Sequence, residues 1–361
     1  MHQLSMLTWS MPVQHDAVLG WDLGGAHTKA ALIGNSGCVE SVQQIACPLW
    51  QGLEHLDSGI QSVVEKIGRD SDLIHAVTMT GELVDLFPDR NSGVKALIDT
   101  MDQRFSGSKL RIYAGSAGFL KPETAIKQAQ QVASANWLAT ASWVANRLPE
   151  GLLLDVGSTT TDLIPFADKQ VLTCDYSDHQ RLVSQALIYT GVARTPLMAI
   201  TDKVPFAGEW VYLMAEHFAT SADMYRLNGD LPETADLLPS ADNGEKSVAG
   251  SARRLARMLG LDADATDMDG WRKVSQYMAE QQLRSLADAC ERILSRPGLS
   301  ATAPLVGAGV GRFLVERICR RLKRPYIGFE ELFSCAQRIE SKVAECAPAV
   351  AVASLAKDGA A

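Results

Sequence analysis

A short pattern near the beginning of the chain occurs again in its second half, and this repeat restricts the fold more than any other feature. Asp22-Leu-Gly-Gly-Ala-His-Thr-Lys29 aligns with Asp155-Val-Gly-Ser-Thr-Thr-Thr-Asp162. In each copy an apolar stretch typical of a buried strand precedes the glycine turn, and a second strand follows it. Two such starts predict an internally duplicated α/β fold whose two domains enclose a cleft.

The repeat also suggests how the chain divides into domains. Residues 1–16 show no clear helix or strand pattern, and we expect a flexible leader there rather than a signal peptide. The stretch 148–151 contains proline and glycine and is the first plausible domain boundary. We therefore predict a first domain over 17–148 and a second over 149–361. The second domain is expected to carry a helical or lid insertion at about 176–300.

The charge balance and the cysteines exclude several classes of protein. The chain has 34 Lys and Arg against 42 Asp and Glu, a formal charge of −8. Such an acidic chain lacks the cations that bind a nucleic-acid backbone or an anionic membrane surface. The seven cysteines form no Cys-x-x-Cys pair, which fits a reducing compartment and argues against a zinc cluster. We expect a cytoplasmic protein with small-molecule partners, and the sequence leaves its oligomeric state open.

The two turns have the composition of phosphate-binding loops. Glycine lets the backbone come close to an anion, so that successive N–H groups point at its oxygens, and neighbouring hydroxyl groups add hydrogen bonds. Tight hairpins whose glycines only serve the turn are the alternative, which the repetition makes less attractive. The predicted phosphate-binding residues are Gly24, Gly25, His27, Thr28, Lys29, Gly157, Ser158, Thr159 and Thr160.

Each turn begins with an aspartate, which cannot bind phosphate directly because like charges repel. A carboxylate in this position makes sense as a ligand of Mg²⁺, or of its water molecules, beside the phosphate. We therefore predict that Asp22 and Asp155 face each other across one cleft, hold Mg²⁺ and take part in catalysis.

Other motifs allow both functional and structural interpretations. Glu82 and Asp85 follow a predicted strand, where acids face the ligand crevice of an open α/β sheet; Glu82 is our candidate general base, with Asp85 as the alternative. They could equally be acids at a helix start. A third glycine turn, made by Gly307, Gly309 and Gly311, forms either a third wall of the cleft or a tightly packed helix start.

The stretch 225–246 is long and rich in acids and helix breakers. Loops of this length inside a domain are usually functional lids or disordered segments. Arg226 and Lys246 could hold an anionic substrate, whereas the simpler interpretation is a solvated acidic loop.

These motifs together resemble a known superfamily and one of its families. Two Asp-x-Gly turns and a late glycine turn are similar to the phosphate-1, phosphate-2 and adenosine motifs of the acetate and sugar kinase, Hsp70 and actin superfamily. The resemblance implies an actin-like (ribonuclease H-like) two-domain fold. Five blocks resemble the hydantoinase/oxoprolinase-like proteins more specifically. They are Gly20 to Ala30, Met79 to Asp85, Leu154 to Asp162, Gly191 to Leu197 and Phe218 to Gly229.

The archaeal members of that family resemble the methanofuran-biosynthesis synthase. The resemblance implies a transferase that joins an aminomethylfuran-methyl diphosphate to the phenol of γ-glutamyl-tyramine, or of a related tyramine or tyrosine, and releases pyrophosphate. It implies Mg²⁺ as the cofactor and no requirement for ATP. One departure is His27, where the family is expected to have Asn in the first turn; this changes one donor and leaves the backbone cradle.

Two other functions remain open at this point. The same cleft would suit an ATP-dependent small-molecule kinase or a hydantoinase-type hydrolase, because fold alone does not fix the reaction. A non-catalytic ATP-binding scaffold is the second alternative.

Overall fold

The computed structural model describes residues 16–68, 73–105, 109–263, 267–333 and 339–359. The predicted flexible leader lies outside these residues apart from Asp16. Within the described residues, none of the helices combines the length and apolar character that a membrane crossing requires.

The first half of the chain forms a six-stranded sheet. Its strands are β1 (Val18–Leu23), β2 (His27–Ile33), β3 (Val39–Ala46), β4 (Ile74–Met79), β5 (Lys109–Tyr113) and β6 (Phe119–Leu120). Their order in the sheet is β3-β2-β1-β4-β5-β6. Strands β1, β4 and β5 run parallel, while β2, β3 and β6 pair antiparallel with their neighbours. Strand β1 is buried along its whole length, as its apolar sequence predicts.

The second half repeats this arrangement. Its strands are β7 (Glu150–Val156), β8 (Thr161–Ala167), β9 (Gln170–Val171), β10 (Leu187–Ile188), β13 (Leu305–Ala308) and β14 (Tyr326–Gly328), with the separate hairpin β11 (Lys203–Phe206) and β12 (Glu209–Tyr212). The order is β10-β8-β7-β13-β14, and β9 also pairs with β8. Strands β7, β8, β13 and β14 thus take the places of β1, β2, β4 and β5, which confirms the predicted duplicated α/β fold.

Twelve helices are found in the described residues. They are α1 (Glu54–Ile67), α2 (Arg90–Arg104), α3 (Pro122–Lys127), α4 (Ala129–Val132), α5 (Asn136–Ala145), α6 (Asp178–Val183), α7 (Ser221–Asn228), α8 (Val248–Met258), α9 (Met268–Leu294), α10 (Arg312–Leu322), α11 (Glu340–Glu345) and α12 (Ala347–Lys357). Helices α7 to α10 share a hydrophobic core with β7, and α1, α2 and α4 share one with the first sheet.

Two helices lie between the sheets and join the halves. Helix α12 packs against α5 and against β1, β2 and β4, while α5 also contacts β7, β8 and β9. The approach of α12 to β1 is close, since a Cβ added at Gly20 would lie 2.1 Å from the carbonyl oxygen of Ala349. Small residues on both elements permit this packing. Helix α12 belongs to the segment predicted as the second domain, yet it completes the core of the first sheet.

The predicted insertion at about 176–300 contains strands as well as helices. Strand β10 extends the second sheet, and β11 with β12 forms a hairpin that the apolar pattern did not reveal. Of the stretch 225–246, the first residues complete α7 and the rest connects α7 with α8.

Candidate active site

Both glycine turns line one cleft between the two halves of the chain. Its volume is about 610 Å³, and its walls include Asp22, Gly24, Gly25 and His27 from the first turn and Asp155 with 157–160 from the second. The structure therefore brings Asp22 and Asp155 to one site, as the repeat predicts. Each turn follows the central strand of its own sheet, β1 or β7, and the pseudo-equivalent positions of these strands explain why the turns meet.

The two turns have the same backbone hydrogen bond. In the first, the N–H of Gly24 donates to the carbonyl oxygen of His27 at 3.0 Å. In the second, the N–H of Gly157 donates to the carbonyl oxygen of Thr160 at 2.9 Å. The two turns thus close with the same backbone hydrogen bond at equivalent positions.

The carboxyl group of Asp22 is buried beside a lysine. Burial raises the pKa of Asp22 to about 6, with Lys29 opposing and Asp162 adding to this shift. Lys29 stands opposite Asp22 on the neighbouring strand and donates to the carbonyl oxygen of Glu345 at 3.0 Å. Burial opposes charge on Lys29, yet the acidic groups around it, among them Asp22 and Asp155, raise the pKa of its ammonium group.

The second turn has an acid where the first has this lysine. Asp162 stands opposite Asp155 in the β7–β8 pair. Burial raises the pKa of Asp155 to about 7, and the charge of Asp162 acts in the same direction. Arg181, which lies outside the repeat, forms an ion pair with Asp162 and stacks on the ring of Trp137, with its guanidinium carbon 4.1 Å from the ring centre. Arg181 of α6 therefore supplies a positive charge that compensates Asp162.

Alternation along β2 separates the predicted donors of the first turn. His27 and Lys29 line the cleft, whereas Thr28 is fully buried on the other face of β2 near Gly59 of α1. The structure therefore does not bring Thr28 to the cleft. Burial lowers the pKa of His27 to about 3, with Lys29 and Arg194 contributing, so its imidazole is neutral at physiological pH.

The two aspartates fit a magnesium ion that is bound together with a phosphate. Oxygen Oδ1 of Asp22 is buried and forms no hydrogen bond within the described residues, and a buried carboxylate oxygen is a suitable ligand for a cation. Mg²⁺ takes one or two carboxylates and completes its shell with substrate phosphates and water, so two aspartates in one cleft meet its requirements. Among the residues that the structure describes, no group of three Asp, Glu, His or Cys side chains could hold a metal ion.

Of the two candidate bases, Asp85 lines the cleft and Glu82 does not. Glu82 is buried in a short 3-10 turn after β4, and burial raises the pKa of its carboxyl group. The hydroxyl group of Ser134 donates to Glu82 Oε1 at 2.9 Å and lies 3.0 Å from Asp178 Oδ2. Ser134 and Asp178 both line the cleft. Glu82 therefore touches the cleft only through Ser134.

The third glycine turn packs on the outside of the second turn. Gly309 has φ +81°, and a Cβ there would lie 2.3 Å from the carbonyl oxygen of Val156 and 2.5 Å from Asp155 Oδ1. The N–H of Gly311 donates to the same carbonyl at 2.8 Å, and Gly307 packs against the ring of Tyr326. None of these three glycines lines the described cleft. Close packing therefore explains each glycine of the turn: Gly309 against Asp155 and Val156, Gly311 against Val156 and Val192, and Gly307 against Tyr326.

The acidic stretch 225–246 is held by ion pairs and does not line this cleft. Arg226 pairs with Asp236 and Asp223, and Lys246 pairs with Asp236 at 3.4 Å. Arg226 and Lys246, which we expected to hold an anionic substrate, are thus already paired with nearby acidic side chains.

The cleft also contains residues to which the sequence assigned no role, among them Trp50, Tyr189 and Arg194. Trp50 comes from the first half, and the other two come from the second. The guanidinium carbon of Arg194 lies 5.4 Å from the centre of the Trp50 ring. Arg194 stands in the block Gly191 to Leu197 that carries the family resemblance, so a signal for it existed. Nothing in the sequence indicated that Trp50 would meet it.

Comparison with known proteins identifies relatives of this chain. The chain is 30% identical over 284 residues, 78% of its length and 83% of the relative's, to the (4-{4-[2-(gamma-L-glutamylamino)ethyl]phenoxymethyl}furan-2-yl)methanamine synthase of Methanocaldococcus jannaschii. It is 29% identical over 118 residues to the synthase of the same name from Methanococcus vannielii, covering 33% of this chain and 53% of that one.

The fold likeness extends to more distant proteins. A nucleotide-free structure of acetone carboxylase superposes with a TM-score of 0.54 at 10% identity, over 84% of this chain and 66% of that one. The sequence profile of the hydantoinase/oxoprolinase family matches residues 74–358. This match and the relative from Methanocaldococcus jannaschii together show that the chain belongs to the hydantoinase/oxoprolinase family.

Proposed function

We propose that this protein is a transferase of methanofuran-type cofactor biosynthesis. It joins an aminomethylfuran-methyl diphosphate to a tyramine-type phenol, such as γ-glutamyl-tyramine, and releases pyrophosphate. The observation that carries the proposal is the pair of backbone cradles with Asp22 and Asp155 in one cleft. The names of the relatives, whose product contains an ether between a phenol and a furan-methyl carbon, supply the substrate class.

The reaction is a displacement at the furan-methyl carbon. The phenolic oxygen forms a bond to this carbon, the bond from the carbon to the diphosphate oxygen breaks, and its electron pair leaves with the diphosphate. The phenolic proton passes to a carboxylate base. The cleft must therefore stabilise a departing anion and accept one proton.

The two turns perform the first task. The backbone N–H groups and hydroxyl groups of Ser158, Thr159 and Thr160 face the cleft and bind the phosphate oxygens. Asp22 and Asp155 hold Mg²⁺, which when bound neutralises charge on the leaving group. Both turns then bind the donor, and the site needs no nucleotide.

Asp85 is the better placed base. It is exposed in the cleft, whereas buried Glu82 reaches the cleft only through the hydroxyl group of Ser134. A base must come within hydrogen-bond reach of the proton it removes. We assign the proton acceptor to Asp85, and Glu82 holds Ser134 in place.

The reaction can be tested with purified protein stripped of nucleotide. The furan-methyl diphosphate, a tyramine-type phenol and Mg²⁺ are supplied, and ether and pyrophosphate are measured together. We expect the two products in equal amounts without ATP. A reaction that proceeds only with ATP and yields ADP contradicts the proposal and favours the kinase or hydrolase alternative.

A further inference from the structure

Three cationic side chains line the cleft: Lys29, Arg181 and Arg194. An incoming diphosphate needs a cation whose N–H donors are free. Lys29 donates to the carbonyl oxygen of Glu345 and stands opposite Asp22. Arg181 is 2% exposed and paired with Asp162. Both are therefore engaged by the protein itself.

Arg194 differs from the other two cations. In the described part of the chain it forms no ion pair with an acidic side chain, and its side chain is exposed in the cleft. Its guanidinium carbon lies 5.4 Å from the centre of the Trp50 ring, a cation–π distance. This contact uses no carboxylate, so the guanidinium N–H groups, whose geometry matches phosphate oxygens, are not committed to an acidic side chain of the described chain.

The backbone fixes Arg194 beside the second turn. Its N–H donates to the carbonyl oxygen of Ser158 at 2.8 Å, and the N–H of Ala193 donates to the same oxygen at 3.0 Å. The side chain lines the cleft together with both turns, and its charge acts on His27 of the first turn. A diphosphate held by either turn would therefore lie near this guanidinium.

We propose that Arg194 is a catalytic residue that binds the diphosphate group of the substrate, and that Trp50 is a positioning residue that holds its guanidinium across the cleft. This inference rests on the proposed function for the identity of the donor. As the C–O bond breaks, negative charge grows on the diphosphate, and an unpaired guanidinium in a partly desolvated site stabilises that charge.

The binding of inorganic pyrophosphate measures this role without turnover. Calorimetric titration in the presence of Mg²⁺ compares the unaltered protein with Arg194→Ala and Arg194→Lys. We expect at least a tenfold weaker affinity for Arg194→Ala, because charge-assisted hydrogen bonds are lost. Arg194→Lys is expected to recover part of the affinity. Arg320→Ala, which alters an exposed arginine on α10, is the control and should bind as the unaltered protein does.

Trp50 is tested by its conservative variant. Trp50→Ala frees the guanidinium and should weaken pyrophosphate binding about threefold or more, because loss of a stack of this kind costs about 0.5–1 kcal/mol. Trp50→Phe keeps a ring and should restore most of the affinity. Equal affinity in Trp50→Ala and the unaltered protein contradicts the positioning role.

Two further titration results distinguish a failure of the role of Arg194 from a failure of the proposed function. Arg194→Ala with unchanged pyrophosphate affinity overturns the inference, even where the unaltered protein makes ether. A titration with ADP and Mg²⁺ identifies the source of the diphosphate. ADP that binds more tightly than pyrophosphate, and is weakened by Arg194→Ala, supports the role of Arg194 and contradicts the alkyl-diphosphate donor.

Discussion

The two glycine turns close with the same backbone hydrogen bond and differ at five of their eight aligned residues. Each has the same hydrogen bond across the turn and the same aspartate at its start. The first turn places Gly25 and His27 where the second has Ser158 and Thr160, so hydroxyl donors are concentrated in the second turn. Lys29 of the first repeat lowers the pKa of both aspartates against the effect of burial, whereas the corresponding Asp162 of the second repeat is paired with Arg181.

If both turns bind the donor as proposed, this difference gives them unequal shares of the phosphate contacts. The second turn offers hydroxyl and N–H donors and lies beside Arg194, which suits the departing diphosphate. The first turn offers a carboxylate and a neutral imidazole, and a Cβ at Gly25 would lie 2.7 Å from Val84. Duplication has therefore preserved the cradle while charge and donors diverged.

The largest effect is expected from Asp155→Asn. Loss of one carboxylate removes a ligand of the magnesium ion while preserving shape, so kcat should fall about a hundredfold or more and the protein should remain folded. Steady-state kinetics at saturating Mg²⁺ and circular dichroism measure the two properties. Unchanged turnover at saturating Mg²⁺ would remove Asp155 from the mechanism.

The next largest effect is expected from a glycine outside the turn. A Cβ at Gly191 would lie 2.5 Å from the carbonyl carbon of Ser158 and from the N of Thr159, both backbone atoms. Gly191→Ala should therefore displace the second turn and weaken pyrophosphate binding about tenfold. Gly59→Ala is the matched control, because this glycine of α1 does not line the cleft and its Cβ would lie 3.3 Å from the side-chain oxygen of Thr28. Similar affinities for the two variants would argue against a tightly held cradle.

The raised pKa of Asp155 predicts that its ionisation lowers the free energy of unfolding at neutral and alkaline pH. The carboxyl group has a pKa of about 7 in the folded protein against an ordinary value of 3.8, so the folded state binds the proton more tightly. The stabilisation from this proton is complete below about pH 3.8 and is lost as the pH rises through about 7. Without Mg²⁺, Asp155→Asn should therefore have a Tm about 2–5 °C higher at pH 8, with a smaller difference at pH 5.

Thermal unfolding of both proteins at the two pH values provides the check. A Tm difference that does not grow with pH would show that Asp155 is not held protonated by burial. Asp22→Asn should behave similarly, with its transition near pH 6.

A smaller contrast is expected between the two candidate bases. Asp85→Asn should lower kcat about tenfold to a hundredfold, since it removes the proton acceptor. Glu82→Gln should change kcat by less than about threefold, because the amide oxygen can still accept from Ser134 and burial, which raises the pKa of the native carboxyl group, already disfavours its charged form. The pH profile of kcat is the accompanying measurement. The reverse ranking would return the role of base to Glu82.

The sequence predicted the position of the two turns in the cleft, but it did not predict how the charged side chains around them are paired. The repeat located both aspartates, and both lie in one cleft. Thr28 could have been excluded as a donor from the same sequence, because side chains alternate along a strand and His27 with Lys29 occupy the cleft face. By contrast, two contacts bring together residues that lie in different elements of the fold. They are the ion pair of Asp162 with Arg181 and the cation–π contact of Arg194 with Trp50. Local pattern carries no information on such contacts.

The most direct test of the central claim is a crystal structure with inorganic pyrophosphate and Mg²⁺. We expect one phosphate to contact the backbone N–H groups of residues 157–160. The metal ion should lie between Asp22 and Asp155, and the guanidinium of Arg194 should contact phosphate oxygens. Pyrophosphate bound at the third glycine turn, or anywhere outside the cleft formed by the two Asp-x-Gly turns, would contradict this proposal.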